Sequence, residues 1–506
     1  MKTQNLYTRR TTLKAVALGV AAAYSGQMAF AQQKLRTRRS LHGMALDDPD
    51  LSTYRDFVGL MKSYPQNQPL SWLGFSLPHG WVSDDFQQGD YKFCPHGDWY
   101  FLPWHRAYTL MYEQAAQTLL NNPAFAMPYW DWTLDRQLPE AFAEPLYKGK
   151  TNPLYVPNRN QLIGQNALTD KIVGQAQMDK IYAETDYELF GTSRSVDFSD
   201  PNNPVVQDNL DPKWVPIGGG NQGPLENPPH NQVHNRIGVY MPSPGSPRDP
   251  IFFMHHSNID RIWAYWNALG RKNSSDPLWL NMPFTDNYID PKGQPYTKVV
   301  KDLQNTADYG YTYPDLPAPD GKTPDPDRAK ALLVLHSKGV GAKIEGVQRV
   351  GGANKIAALA SAALQSPHAL AEGTLKTVTN PQAAKRPREV FAIIKNLVIG
   401  NGIDYIRVFI NKKGLSLETP DTDPHFVRDV SFLAHPKGTL GADGHRKSMH
   451  SNSVLVDLTH TIKALGGLGR LDKDDIIVQL QPVPKPGLAL EQVGKVVPAS
   501  IEVVVL

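Results

Sequence analysis

The stretch Asp249-Pro250-Ile251-Phe252-Phe253-Met254-His255-His256-Ser257-Asn258-Ile259-Asp260-Arg261 sets two adjacent imidazoles inside an apolar, helix-like run. A second cluster, His230-Asn231-Gln232-Val233-His234, lies just upstream. A third, Phe101-Leu102-Pro103-Trp104-His105-Arg106, lies far upstream. Imidazole is a favoured ligand for copper, iron, zinc and nickel. Two histidines four residues apart share one helix face and can point at one ion. A third from the next helix completes a set, and two such sets would hold two metals. Phe101 is four before His105 and Phe252 is four before His256, an echo that two facing half-sites would produce.

Working outward, residues from about 35 to 315 are rich in Trp, Tyr and Pro and hold all of these clusters. His105 opens a helical pattern through Leu110, Met111 and Leu119-Leu120 that ends near Asn121-Asn122-Pro123. Pro228-Pro229 stands where a helix begins, ahead of His230. Met254 to Leu269 reads as another helix, closed by Gly270. Residues 135 to 225 lack periodicity and read as long loops. Pro314, Pro317, Pro319, Pro324 and Pro326 mark a boundary. The Ala- and Lys-rich stretch after it reads as a partly helical linker.

Beyond residue 385 the character changes. Val390–Ile399, Ile403–Ile410, Arg428–Ala434, Ser453–Thr459, Asp475–Leu480 and Ile501–Leu506 read as strands separated by turn signals. Six short strands predict a small β-sandwich. The expected organisation is therefore a mainly α chain. A helical bundle with long loops holds a binuclear metal centre over 32–315, a linker runs over 316–384, and a C-terminal β-sandwich domain occupies 385–506.

The first 31 residues are read as an address, not as fold. Thr8-Arg9-Arg10-Thr11-Thr12-Leu13-Lys14 precedes the apolar run Ala15–Ala23, and Ala29-Phe30-Ala31 resembles a cleavage signal. Paired arginines before an apolar stretch predict a bacterial twin-arginine export signal, with the twin-arginine machinery as partner and a periplasmic or secreted destination. The stretch is short for a membrane span, and no other is long and apolar enough. Cleavage after Ala31 removes Lys2, Arg9, Arg10 and Lys14 and no acid, taking the formal charge from +3 to −1. The basicity belongs to the signal, so no nucleic-acid footprint remains. One cysteine, Cys94, rules out an intrachain disulfide framework.

Of the 15 histidines, a lone one such as His42 reads as a surface residue. The His230/His234 pair lacks the glutamate of a zinc-protease H-E-x-x-H motif. Its combination with Asp-Pro-x-Phe-x-x-His-His and Phe-x-Pro-Trp-His-Arg is specific. With these motifs the chain resembles the type 3 copper family of tyrosinases, catechol oxidases and haemocyanins, over roughly residues 35 to 315. Phe101–Arg106 resembles the first copper motif and His230–Asp260 the second. Pro128-Tyr129-Trp130-Asp131-Trp132 is similar to the family's proline-tyrosine-tryptophan stretch, and Tyr311-Thr312-Tyr313 to its closing tyrosine motif. The C-terminal part resembles, more weakly, the β domain of plant polyphenol oxidases.

The resemblance implies two copper ions per chain, with phenolic small molecules and O2 as reactants. It implies His79, His96 and His105 as ligands of one copper and His230, His234 and His256 as ligands of the other. His256 is preferred to His255 because it lies four residues before Asp260. Cys94-Pro95-His96 resembles the element that forms a cysteine–histidine thioether in fungal tyrosinases and molluscan haemocyanins. Asp260 and Asp131 are expected to orient ligand imidazoles, or else to pair with Arg106 and Arg261. Phe252 is expected to pack on the centre and Trp104 to be core. Glu226, four before His230, and Asn231, just after it, match the pair proposed in the family to hold a water that deprotonates monophenols. The expected activity is that of a tyrosinase, o-hydroxylating monophenols and oxidising o-diphenols to o-quinones. A catechol oxidase or o-aminophenol oxidase without monophenolase activity, a haemocyanin-like oxygen carrier and a zinc-bearing relative are the alternatives.

Overall fold

The structure is a computed structural model. It describes residues 35–80, 94–337 except 161, 164–166, 198–204 and 207–219, and 348–506 except 355–360, 381–387, 396, 432–438, 441–445, 448–452, 472–473 and 486. The expected export signal lies outside the described residues.

Four helices position the centre: α1 (Pro49–Ser63), α2 (Phe101–Leu119), α3 (Asn231–Ile237) and α4 (Ile251–Ala268). Asp48 caps α1 by accepting from the Asp50 amide, with Pro49 in the first turn. Pro103 sits in the first turn of α2, where its missing N–H is no loss. Both α2 and α4 are buried around almost their whole circumference, which marks them as interior helices and not amphipathic surface ones. They pack on one another through a core of tryptophan, tyrosine and phenylalanine that includes Trp104, Tyr108, Tyr112, Phe252, Phe253 and Trp263. Gly270 ends α4 at φ 95, and its amide donates to the Asn267 carbonyl.

The helical region closes on itself. Arg36–Thr37 pairs in parallel with Tyr311–Thr312, joining its first and last described segments. The stretch 135–225 is not the continuous loop its sequence implied. It carries short helices at Glu140–Ala143, Asp170–Val173, Gln175–Ala183 and Tyr187–Phe190. Helices of so few turns leave too little periodicity to be seen among Pro, Gly and Asn.

The C-terminal region is a sheet region. Its strands are β1 (Gln348–Asn354), β2 (Leu364–Ala369), β3 (Val390–Lys395), β4 (Ile403–Ile410), β5 (Phe426–Val430), β6 (Val454–Asp457), β7 (Asp475–Pro484) and β8 (Ser500–Val505). They form two four-stranded antiparallel sheets of order β2-β7-β4-β5 and β6-β3-β8-β1. Residues of both sheets, among them Ile394, Val408, Val478 and Val503, share one apolar core.

The stretch 316–384 is more than a linker. It holds a helix at Pro326–Ser337 and supplies β1 and β2, one outer strand to each sheet. In β2 the inward positions alternate as Leu364, Ser366 and His368, and the Ser366 hydroxyl bonds the His368 ring at 3.0 Å. The alternation is real but partly polar, so a hydrophobic pattern misses it. Among the described residues no helix is long and apolar enough to cross a membrane.

Candidate metal centre

Two groups of buried ligand atoms face each other between α2, α3, α4 and two loops. His79, Cys94, His96 and His105 form one and His230, His234, His255 and His256 the other; within each group the atoms lie within 4.8 Å of one another. The groups abut: the His105 and His256 rings stack at 4.3 Å and 11°, and the His96 and His230 rings stand 5.2 Å apart. The expected six histidines are thus brought together.

Their hydrogen bonds decide which nitrogen faces the centre. His79 ends a 3₁₀ turn closed by Gly80 at φ 107, and its Nδ1–H donates to the Pro244 carbonyl at 2.9 Å. His105 Nδ1–H donates to the Phe101 carbonyl at 2.8 Å and His234 Nδ1–H to the Met241 carbonyl at 2.8 Å. His230 Nδ1–H donates to the Asn231 side-chain oxygen at 2.9 Å. A carbonyl oxygen can only accept, so each Nδ1 carries the proton and each Nε2 presents a lone pair. The Nε2 atoms of His79 and His230 are buried without a hydrogen-bond partner among the described residues. Such a lone pair is costly unless a cation takes it, so each group fits a metal ion.

His255 belongs to its group by distance but not by tautomer. The Trp132 indole N–H donates to its Nδ1 at 3.1 Å. Indole is a donor only, so the His255 proton sits on Nε2 and that atom has no lone pair to offer. The His256 Nε2, in contrast, lies 3.2 Å from His234 Nε2. Burial, followed by neighbouring imidazoles, holds His230, His255 and His256 well below the ordinary histidine range. Burial, with a smaller contribution from His234, takes His79 down to about 3, and burial takes His234 to about 4, each against the raising effect of its carbonyl partner. These rings are neutral at physiological pH, the form a metal requires.

Phe252 packs where expected, 4.2 Å from the His256 ring and 5.0 Å from His79, wedged between the halves. Trp104 is core, with its N–H on Asn287. Cys94 is buried and its Sγ lies 3.2 Å from His96 Nδ1 and 4.0 Å from Nε2, facing that edge of the ring. His42 lies apart, at the surface, on Asp135 at 2.8 Å.

The two aspartates do not orient imidazoles. Asp260 accepts from Arg106 Nε at 2.5 Å, Arg38 at 3.3 Å, and the Tyr311 and Tyr313 hydroxyls at 2.7 Å each. Asp131 accepts from Thr133 and, at 3.0 Å, from Arg261. Guanidinium groups satisfy these carboxylates, while backbone carbonyls do the orienting assigned to them. The closing tyrosine motif therefore serves Asp260.

Glu226 and Asn231 are both buried. Glu226 accepts from the Gly97 amide at 2.9 Å, from Gln222 Nε2 at 3.2 Å and from the Thr192 hydroxyl, so it ties the His96 loop to the turn leading into His230. Burial raises its carboxyl to about 8 against these hydrogen bonds; a dication nearby would bring it down. The Asn231 oxygen accepts from His230, and its amide donates to Gln222 Oε1 at 3.2 Å and to the Ser431 carbonyl at 2.9 Å. Sequence reasoning missed Gln222, Trp132 as a histidine partner, and Ser431. None has a spacing signal, since each acts across the fold.

Comparison with known proteins places these residues in a familiar sequence and fold context. The common central domain of tyrosinase matches residues 52–269. A chloroplastic polyphenol oxidase of Malus domestica is 26% identical over 477 residues, covering 89% of this chain and 76% of that one. A chloroplastic (+)-larreatricin hydroxylase of Larrea tridentata is 28% identical over 343 residues, 62% of this chain and 56% of its own. A tyrosinase of Hahella sp. (strain CCB-MM4) is 29% identical over 307 residues, 55% of this chain and 63% of its own. The structure of latent apple tyrosinase superposes with a TM-score of 0.60 at 24% identity, over 93% of this chain and 97% of that one, a likeness of fold.

Proposed function

The chain belongs to the type 3 copper family of tyrosinases and polyphenol oxidases, oxidoreductases that act on phenols with O2 at two coppers, and on that premise we propose that it is a tyrosinase. It hydroxylates monophenols at the ortho position and oxidises o-diphenols to o-quinones. His79, His96 and His105 hold one copper and His230, His234 and His256 the other. The matches to tyrosinases and polyphenol oxidases favour copper and catalysis over the oxygen-carrier and zinc readings. Bound copper supplies O2 activation and the two-electron oxidation of the ring.

The protein's own residues do the rest. Backbone carbonyls hold three imidazoles by Nδ1, and Phe252 packs between the halves. Glu226 receives the phenolic proton through a water that Asn231 helps to hold. The observation that carries this reading is the placement of Asn231, with Glu226 linked to it through Gln222, directly behind the ligand His230. The test is turnover of L-tyrosine against L-DOPA by the copper-loaded enzyme. Oxidation of L-DOPA alone, both by the intact chain and by forms in which the C-terminal region is loosened, would sink it.

A catechol oxidase or o-aminophenol oxidase is the second reading. It is favoured by both N–H bonds of Asn231 being engaged, on Gln222 and Ser431. The remaining readings are that residues 1–31 direct twin-arginine export, that the catalytic domain ends near residue 315 with the C-terminal domain beginning before the strand Gln348–Asn354, and that the two C-terminal sheets form a sandwich. The reading that this region caps the centre is supported by two contacts of β5 beside His230: the Arg428 guanidinium donates to the Asn227 carbonyl, and Arg236 pairs with Asp429 at 3.6 Å.

A further inference from the structure

The Asn231 side chain is fully assigned by its neighbours. Its oxygen faces His230 Nδ1, an orientation fixed from the other end of the amide. Its nitrogen must face the Ser431 carbonyl, which can only accept. An amide nitrogen has two N–H bonds. Gln222 Oε1 takes one at 3.2 Å and the Ser431 carbonyl the other at 2.9 Å. Both donors are therefore engaged, one by the helical region and one by the residue that follows β5. Asn227 doubles the contact: its amide donates to Gln222 Oε1 at 2.9 Å and to the Ser431 carbonyl at 3.2 Å, and its oxygen accepts from the Ser431 N–H at 3.4 Å.

We propose that the C-terminal region sets the substrate preference of the enzyme by occupying one Asn231 donor through the Ser431 carbonyl, with Gln222 as the residue that positions the other. This rests on the role given to Asn231 above. While β5 is docked, Asn231 orients His230 and shares both its N–H bonds with Gln222 and Ser431, so it holds the water only weakly and monophenol turnover stays low against diphenol turnover. When β5 undocks, one Asn231 N–H turns to the centre and the water beside Glu226 gains a second anchor. Monophenols then gain more than diphenols, because a diphenol gives up its proton with less help. A plug that blocks entry alone would raise both rates together.

The experiment keeps the full chain. Arg428→Ala and Asp429→Asn loosen β5 on either side of its contact with Asn227 and Arg236, and neither residue touches the histidines. The kcat/KM ratio for a monophenol against its own o-diphenol is measured for the parent and both variants, each also in an Asn231→Asp background. General-base assistance of even modest size predicts a rise of about tenfold in the ratio for the two single variants. No rise is expected in the Asn231→Asp background, where no N–H exists to release.

A second readout needs no turnover. In copper-free, [15N]asparagine-labelled protein, the Asn231 side-chain NH2 signal, identified by its loss in Asn231→Asp, should exchange with solvent faster in both loosened variants. An unchanged ratio with both rates raised, or unchanged amide exchange, overturns the proposal and leaves only a steric cap. Monophenol turnover absent from every form while diphenols are oxidised refutes the tyrosinase reading instead. The amide exchange then decides the docking contact by itself.

Discussion

Asp260→Asn separates a structural carboxylate from one that serves the metal. Asp260 lies buried at the meeting point of four donors, the Arg106 and Arg38 guanidiniums and the Tyr311 and Tyr313 hydroxyls. Arg38 keeps a second anion, Glu113, at 2.8 Å, but among the described residues Arg106 is left with the Leu303 and Gln304 carbonyls and the Trp263 ring, and no anion. Asparagine would turn an NH2 toward these donors and leave the Arg106 charge uncompensated. Breaking a buried pair from one side costs about 3–5 kcal/mol. Tyr311→Phe removes a single hydrogen bond to the carboxylate, about 1.5–3 kcal/mol, and keeps the ring that Arg38 covers at 3.8 Å. Urea unfolding followed by tryptophan fluorescence should rank the two accordingly, with copper content of the folded protein near normal in both. The pH dependence has a definite sign. Burial raises the Asp260 pKa, but Arg106, Arg38 and the tyrosine hydroxyls outweigh it and hold it below the ordinary value. A depressed folded pKa contributes stability that is present above the unfolded value and lost as pH falls through the folded one. Asp260→Asn should therefore lose most at neutral pH and show a flatter acid limb. An unchanged urea midpoint with copper lost would refute this reasoning and return Asp260 to the role of orienting an imidazole.

Replacing His234 or His256 by Ala should leave about one copper per chain and abolish turnover, whereas His255→Ala should retain about two by metal analysis, since its Nε2 carries a proton. Asn231→Gly should lower monophenol turnover more than diphenol turnover, with some loss of both because His230 also loses its Nδ1 partner; equal losses would reduce Asn231 to a holder of His230. If the Cys94 thioether to His96 forms, intact mass should fall by two hydrogens and copper-loaded, unfolded protein should not titrate with thiol reagents; a full thiol titre rules it out. Cleavage between about Asp320 and Arg388 should raise turnover of bulky phenols, and unchanged activity with the fragments separated would mean that the sheet region does not gate the centre.

What the sequence made legible was whatever repeats at a helical or strand period. His230 and His234 at i and i+4, Phe252 and His256 at the same spacing, and the strands from Ile403 and Asp475 onward could all be placed from pattern alone. The choice of His256 over His255 rested on its spacing to Asp260. The structure gives an independent reason, the Trp132 indole on His255. What stayed hidden acts across the fold. Pro244 and Met241 hold His79 and His234 by carbonyls that every residue possesses, so no side-chain type announces them. The aspartates were overvalued for the converse reason. A carboxylate near a histidine motif looks like an imidazole partner, but Arg38 and Arg106 arrive from distant segments and claim Asp260.

The ways the imidazoles are held also predict which part of the centre can be tuned. His79, His105 and His234 rest on backbone carbonyls, which move only if the main chain moves. His230 rests on a side-chain amide, and that amide is shared with Gln222 and with Ser431 of the C-terminal region. A rotamer change suffices to alter the His230 partner, at far smaller cost than remodelling a turn. Gln222 extends the link to Glu226, which reaches the Gly97 amide beside His96. One chain of hydrogen bonds thus runs from Ser431 through Asn231, Gln222 and Glu226 to the Gly97 amide in the opposite half of the centre, with His230 joined to it at Asn231. Among the described residues, Phe252 meets His256 and His79 by ring contacts, which carry no such polar path. Among the described residues the Asn231 amide is therefore an economical entry point for regulation, and it lies where the helical and C-terminal regions meet.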